Sequence, residues 1–214
     1  MKQILVYGDS LSWGIIPGTR QRLAFEQRWP GVLESQLLAS GSQVRVIEDC
    51  LNGRRTVWED PFKPGRNGLA GLEQRIEINS PLSLVILMLG INDFQSMHQL
   101  NAWHSAQGIA ALVRAIRQAP VEPGMPVPPI LIVAPPQAGE AKGSMAQKFD
   151  GALERSAGLS AAYQQVAGEM GCAFLDAGLL VSTSKVDGIH LDADQHVVLG
   201  REIARVVAGL ISAD

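Results

Sequence analysis

The sequence predicts an α/β protein, a three-layer α/β/α sandwich around a five-stranded parallel sheet. Short apolar runs alternate with longer stretches of helical periodicity, in the order β-α-β-α-β-α-β-α-β-α. That alternation is the signature of parallel strands joined by crossover helices on both faces of a sheet. The apolar run from Leu82 to Leu89, ending at Gly90, has the character of a strand covered on both sides. Right-handed crossovers restrict the topology, and the strand order 2-1-3-4-5 fits them best.

The elements follow in turn. Gln3 to Tyr7 is the first strand, and Gly8 begins a turn. A polar loop with Pro17, Gly18 and several arginines leads to a helix from Pro30 to Ala39, stopped by Gly41. Val44 to Ile47 alternates as a second strand. A Gly/Pro-rich loop then runs from Asn52 to Gly65, before a helix from Leu69 to Ile78. After the third strand, Ala102 to Gln118 carries apolar residues at helical spacing. Ile130 to Ala134 is the fourth strand, ended by Pro135-Pro136. Residues 137–150 are rich in Gly and Lys and read as a mobile flap. One helix from Leu153 to Met170, a fifth strand from Ala173 to Asp176 and a helix from Ala193 to Leu210 complete the chain.

Composition bounds the function. A chain of 214 residues suits one domain, 1–214, with no linker or repeat inside it. The hydrophobic fraction of 46% excludes a disordered chain, and no run approaches the roughly 20 apolar residues needed to span a bilayer. A net charge of −3 argues against a nucleic-acid partner, which requires a clustered positive field. Cys50 and Cys172 have no disulfide-framework or zinc spacing and read as reduced thiols. Met1 and Lys2 lead straight into the first strand without a signal-peptide pattern, so a cytoplasmic protein is expected.

In a parallel sheet the chemistry is sought in the loops at the carboxyl ends of the strands. Four of these loops have unusual contents. The first is Gly8-Asp9-Ser10-Leu11-Ser12-Trp13-Gly14, where Ser10 can present a hydroxyl and its own N–H above the sheet. A helix-capping serine would look the same in isolation. The second contains Gly53, an unhindered N–H or an ordinary turn glycine. Its neighbours Arg54 and Arg55 are expected to pair with Glu48, Asp49, Glu59 or Asp60. The third, Gly90-Ile91-Asn92-Asp93, offers the Asn92 side-chain amide, although Asn and Asp are also routine turn residues.

The last loop, Val186-Asp187-Gly188-Ile189-His190, sets a carboxylate three residues from an imidazole, close enough to orient it. His98, His104 and His196 have no such setting and read as surface or packing residues. There is no Gly-x-x-x-x-Gly-Lys-Ser/Thr loop, no Gly-x-Gly-x-x-Gly and no metal-ligand spacing, so neither nucleotide, cofactor nor metal is expected. Each loop is weak evidence alone. Together, at one end of one sheet, they supply a nucleophile, a base, an orienting acid and three oxyanion donors, the complement of an acyl transfer.

In this order and spacing the four motifs resemble the GDSL/SGNH hydrolases over nearly the whole chain. Gly-Asp-Ser-Leu-Ser-Trp-Gly, Arg28-Trp29-Pro30-Gly31-Val32, Met-Leu-Gly-Ile-Asn-Asp at 88–93 and Val-Asp-Gly-Ile-His at 186–190 are similar to the bacterial arylesterase/acyltransferase branch. The resemblance implies the SGNH hydrolase fold, with Ser10 as nucleophile, His190 as base and Asp187 as its partner. It also implies Ser10, Gly53 and Asn92 as oxyanion donors. Asp9, Leu11 and Trp13, beside the nucleophile, are expected to border the substrate, with core packing as the alternative for Trp13. Residues 15–27 and 137–150 are not matched, and in that branch such segments shape the acyl pocket and the contacts of a homo-oligomer.

The activity these readings imply is hydrolysis of small acyl or aryl esters, or transfer of the acyl group to an alcohol. Deacetylation of a carbohydrate, a lysophospholipase or thioesterase role, and an inactive binding module on the same scaffold stay as alternatives.

Overall fold

The structure is a computed structural model describing residues 1–211, so the last three positions of the expected 1–214 domain lie outside the described residues. Five strands form one parallel sheet: β1 (Lys2–Gly8), β2 (Val44–Cys50), β3 (Leu84–Met88), β4 (Ile130–Ala134) and β5 (Ala173–Asp176). Their order is β2-β1-β3-β4-β5, the predicted 2-1-3-4-5. Register runs from Lys2 opposite Val44 to Gly8 opposite Cys50 on one side of β1, and from Ile4 opposite Leu84 to Gly8 opposite Met88 on the other. The β3 and β4 side chains are wholly buried, which explains their unbroken apolar sequence.

Seven α-helices lie among the described residues: α1 (Ser10–Trp13), α2 (Trp29–Ala39), α3 (Leu72–Asn79), α4 (Ala102–Gln118), α5 (Ala152–Arg155), α6 (Leu159–Glu169) and α7 (Ala193–Ile211). Helices α2 and α7 pack on each other, and α4 packs on both α3 and α6. No helix among the described residues is long and apolar enough to cross a membrane.

Two expectations change. The helix expected from Leu153 to Met170 is broken into α5 and α6, because Gly158 has a left-handed φ of +79° that no helix interior admits. The segment 137–150, read as a mobile flap, is tied down. Gly139 N–H donates to the Gly188 carbonyl, Lys142 N–H to the Asp187 carbonyl and Ser96 N–H to the Lys148 carbonyl, while Phe149 is buried. Local polarity concealed these anchors because they are backbone bonds to distant loops.

His196 is a packing residue, as expected. It is fully buried on α7, and its Nδ1 accepts the Trp29 N–H at the start of α2, 3.3 Å away. Burial first, and then the proximity of His190 and of the Arg28 guanidinium, depresses its pKa to about 4. The unfolded chain therefore binds a proton here from about pH 6.5 downward, while the folded chain resists until about pH 4. The stabilisation is complete above that window and is lost as pH falls through it. The loss between about pH 7 and about pH 5 amounts to about 2 kcal/mol. The raised carboxyl of Asp9 titrates over the same window with the opposite sign. The test is therefore the difference in urea-unfolding stability between the native sequence and His196→Gln, which is expected to move against the native sequence by about 2 kcal/mol from about pH 7 to about pH 5.

Candidate active site

Strand β1 ends at Gly8, and Asp9 caps the single turn of α1, its carboxylate accepting the Leu11 N–H at 2.9 Å. Ser10 is therefore the first residue of a helical turn. Its N–H has no partner within that turn and faces outward from the helix start. After β5, the loop 186–190 folds around Asp187. One carboxylate oxygen, Oδ1, accepts the Ile189 and His190 N–H groups, both at 2.9 Å. The other, Oδ2, lies 2.7 Å from His190 Nδ1 and also accepts the Gly18 N–H at 3.2 Å. His190 Nε2 lies 3.2 Å from Ser10 Oγ.

With Nδ1–H donating to the carboxylate, Nε2 is left as the acceptor for the serine hydroxyl. Ser10, Asp187 and His190 are each at most 5% exposed. Burial alone would raise the Asp187 pKa, but the hydrogen bonds from the His190 ring and from the His190 and Ile189 N–H groups hold it well below the usual carboxylate range. The carboxylate is thus ionised at neutral pH.

Ser10, Gly53, Asn92 and His190 line one small cavity of about 40 Å³, so the structure brings together residues up to 180 positions apart. Gly53 has a φ of +83°, and its N–H makes no hydrogen bond among the described residues. Asn92 is more constrained than the sequence suggests. Its amide nitrogen donates to Asp9 Oδ2 at 3.0 Å and to the Arg54 carbonyl at 3.2 Å, while its carbonyl oxygen accepts from Gln95 at 2.8 Å. Gln95 is in turn held by Arg55 at 2.5 Å, and Arg55 pairs with Asp60 at 3.1 Å. This chain of side chains fixes the orientation of the Asn92 amide, and one of its hydrogens must turn or be shared to reach a ligand.

The pairings expected for the arginines occur: Arg54 with Asp49 at 2.6 Å, and Arg55 with Asp60. Asp93, neighbour of Asn92, is a fully buried structural carboxylate. It accepts the Thr56 N–H at 3.0 Å and the Thr56 and Ser105 hydroxyls at 2.7 Å, joining three separate segments. Burial raises its pKa against those hydrogen bonds.

Three expected substrate contacts need correction. Asp9, Leu11 and Trp13 are not on the cavity wall. Leu11 is core, because α1 turns that side chain inward. Asp9 is buried behind the site, where its two carboxylate oxygens hold Leu11 and Asn92. Trp13 is half-buried beneath the Arg22 guanidinium, 4.7 Å from its ring centre. Burial raises the Asp9 pKa to about 7 despite its hydrogen bonds with Leu11 and Asn92.

The cavity wall is instead completed by residues the sequence did not single out: Ile15 and Arg20 from one unmatched segment, Met145, Lys148 and Phe149 from the other, and Lys63. No group of His, Cys, Asp and Glu side chains suited to a metal ion occurs among the described residues. Cys50 and Cys172 form no disulfide.

The model of the GDSL-like Lipase/Acylhydrolase family matches residues 6–198. An arylesterase of Vibrio mimicus is 36% identical over 92 residues, covering 43% of this chain and 38% of that protein, so the match spans well under half of the curated relative. The inhibitor-bound aryl esterase of M. smegmatis superposes with a TM-score of 0.93 at 34% identity, covering 98% of this chain and 100% of that one. A carbohydrate acetylesterase family member from Sinorhizobium meliloti gives 0.93 at 37% identity, covering 99% and 100%. With the family model spanning most of the chain, and the Ser10, Gly53, Asn92 and His190 loops gathered at one cavity, the chain belongs to the GDSL-like lipase/acylhydrolase family.

Proposed function

We propose that the protein is a serine esterase that hydrolyses small carboxylic esters through an acyl-enzyme on Ser10. The observation that carries this is the hydrogen-bonded line from Asp187 through His190 to Ser10, with separations of 2.7 and 3.2 Å. His190 Nε2 takes the Ser10 proton as Oγ attacks the ester carbonyl, and Asp187 stabilises the imidazolium that forms. The Ser10 and Gly53 N–H groups and the Asn92 amide receive the oxyanion. The alkoxide leaves with the proton from His190, and water activated by the same imidazole releases the acid. An alcohol in place of that water would make the second step an acyl transfer.

The small cavity favours a short acyl group such as acetyl. The names of the aryl esterases of M. smegmatis and Vibrio mimicus support an aromatic leaving group. The relatives from Sinorhizobium meliloti, described as carbohydrate acetylesterases, support a second reading with the same chemistry on an acetylated sugar. Turnover of p-nitrophenyl acetate compared with that of an acetylated saccharide decides between them: a higher kcat/KM on the saccharide selects the second.

Ser10→Ala is expected to fold normally and to lose both p-nitrophenyl acetate hydrolysis and fluorophosphonate labelling. Full activity in that variant would remove Ser10 from the mechanism. Asn92→Ala deletes one oxyanion donor and is expected to lower kcat by about 10²–10³, with a much smaller change in KM. Steady-state kinetics with unchanged kcat would show that Ser10 and Gly53 alone bind the oxyanion.

A further inference from the structure

The cavity that holds Ser10 and His190 is also lined by three cations, Arg20, Lys63 and Lys148, and by a single carboxylate, Asp60. These cations come from three separate loops, so their meeting is a product of the fold. The whole chain carries a net charge of −3, and a positive cluster is therefore not a compositional accident. None of the three forms an ion pair among the described residues, whereas Asp60 is already engaged by the buried Arg55 at 3.1 Å. Asp60 also accepts the Phe62 and Lys63 N–H groups, at 2.9 and 3.1 Å.

Lys148 is half-buried, with its Nζ 5.8 Å from the centre of the Phe149 ring. Burial lowers its pKa first, with Arg55, Lys63 and Arg20 adding to the effect and Asp60 opposing it. Lys63 is exposed and is likewise lowered, by partial desolvation and then by Arg66 and Arg20. Three cations face one carboxylate that Arg55 already engages, so like-charge repulsion remains in the cluster and an anion between the cations relieves it.

We infer that the natural substrate is an ester bearing an anionic group, such as a carboxylate, beside the scissile bond, and that Arg20, Lys63 and Lys148 select it. This rests on the esterase reading above and adds the substrate class. The cations sit on the wall shared with Ser10, so the anion and the ester carbonyl belong to one small molecule. Their field would also steer such a substrate inward, an effect that salt weakens.

The test compares isosteric pairs, with rates normalised to hydroxide-catalysed hydrolysis. Phenolic acetates carrying a para carboxylate or a para carboxamide place the charge on the alcohol side. Phenyl hydrogen succinate and phenyl 4-methylpentanoate place it on the acyl side, with the spontaneous hydrolysis of each ester subtracted. In at least one pair the anionic ester is expected to show about tenfold higher kcat/KM at low ionic strength, equivalent to about 1.4 kcal/mol. That ratio should shrink severalfold at about 0.5 M NaCl and approach one in the variant R20Q/K63Q/K148Q.

Parity in both pairs, or a preference that survives in the triple variant, overturns the inference while leaving the esterase reading intact. Failure to hydrolyse any of these esters or phenyl acetate removes the esterase reading and this inference with it.

Discussion

All five strands run in the same direction, and the site depends on that constraint. Parallel strands release every strand-to-helix loop at one edge of the sheet, so Ser10 after β1, Gly53 after β2, Asn92 after β3 and His190 after β5 converge although they are distant in the chain. The ladder between β1 and β3, with Gly8 opposite Met88, sets the levels at which the Ser10 and Asn92 loops begin. A slip of register would move one loop past the other by a residue's rise of about 3.3 Å, more than the tolerance of a hydrogen bond.

Buried carboxylates then hold the loops to one another. An ionised carboxylate in the interior is costly unless its oxygens are hydrogen-bonded, and three acids meet that requirement in different ways. Asp93 takes three donors from Thr56 and Ser105, linking the loop after β2 to α4. Asp9 links the α1 turn to Asn92. Asp187 takes four, including the His190 ring. Only Asp187 has donors enough to lie below the ordinary range, whereas burial prevails at Asp9 and Asp93. That ordering suits an acid that stays charged beside His190, with two others that organise structure.

Much of the architecture was legible because it follows from periodicity. The five strands were recognisable from apolar runs, and α4 and α7 from residues repeating at helical spacing. The break between α5 and α6 was not, since the surrounding residues favour helix and only the left-handed Gly158 interrupts them. Within the site, Ser10, Gly53, Asn92, Asp187 and His190 stood out by residue type and position after a strand. Asp9 and Leu11 were misplaced onto the cavity wall because adjacency to Ser10 does not reveal which way a one-turn helix directs its side chains. Gln95 gave no signal, and Arg55 was read only as an ion-pair partner, because their hold on Asn92 exists only through contacts between loops.

By itself the sequence determined the layered parallel fold, its strand order and the chemical types available at one edge of the sheet, because hydrophobic periodicity and crossover handedness are local and topological properties. The tertiary structure decided the rest. It set the 3.2 Å approach of His190 to Ser10, committed the Asn92 amide to Asp9, and anchored residues 137–150 against the loop of Asp187. It also assembled Arg20, Lys63 and Lys148 around the cavity from three unremarkable loops. Distances and fields between side chains depend on how distant segments pack, and no local pattern in the chain encodes them.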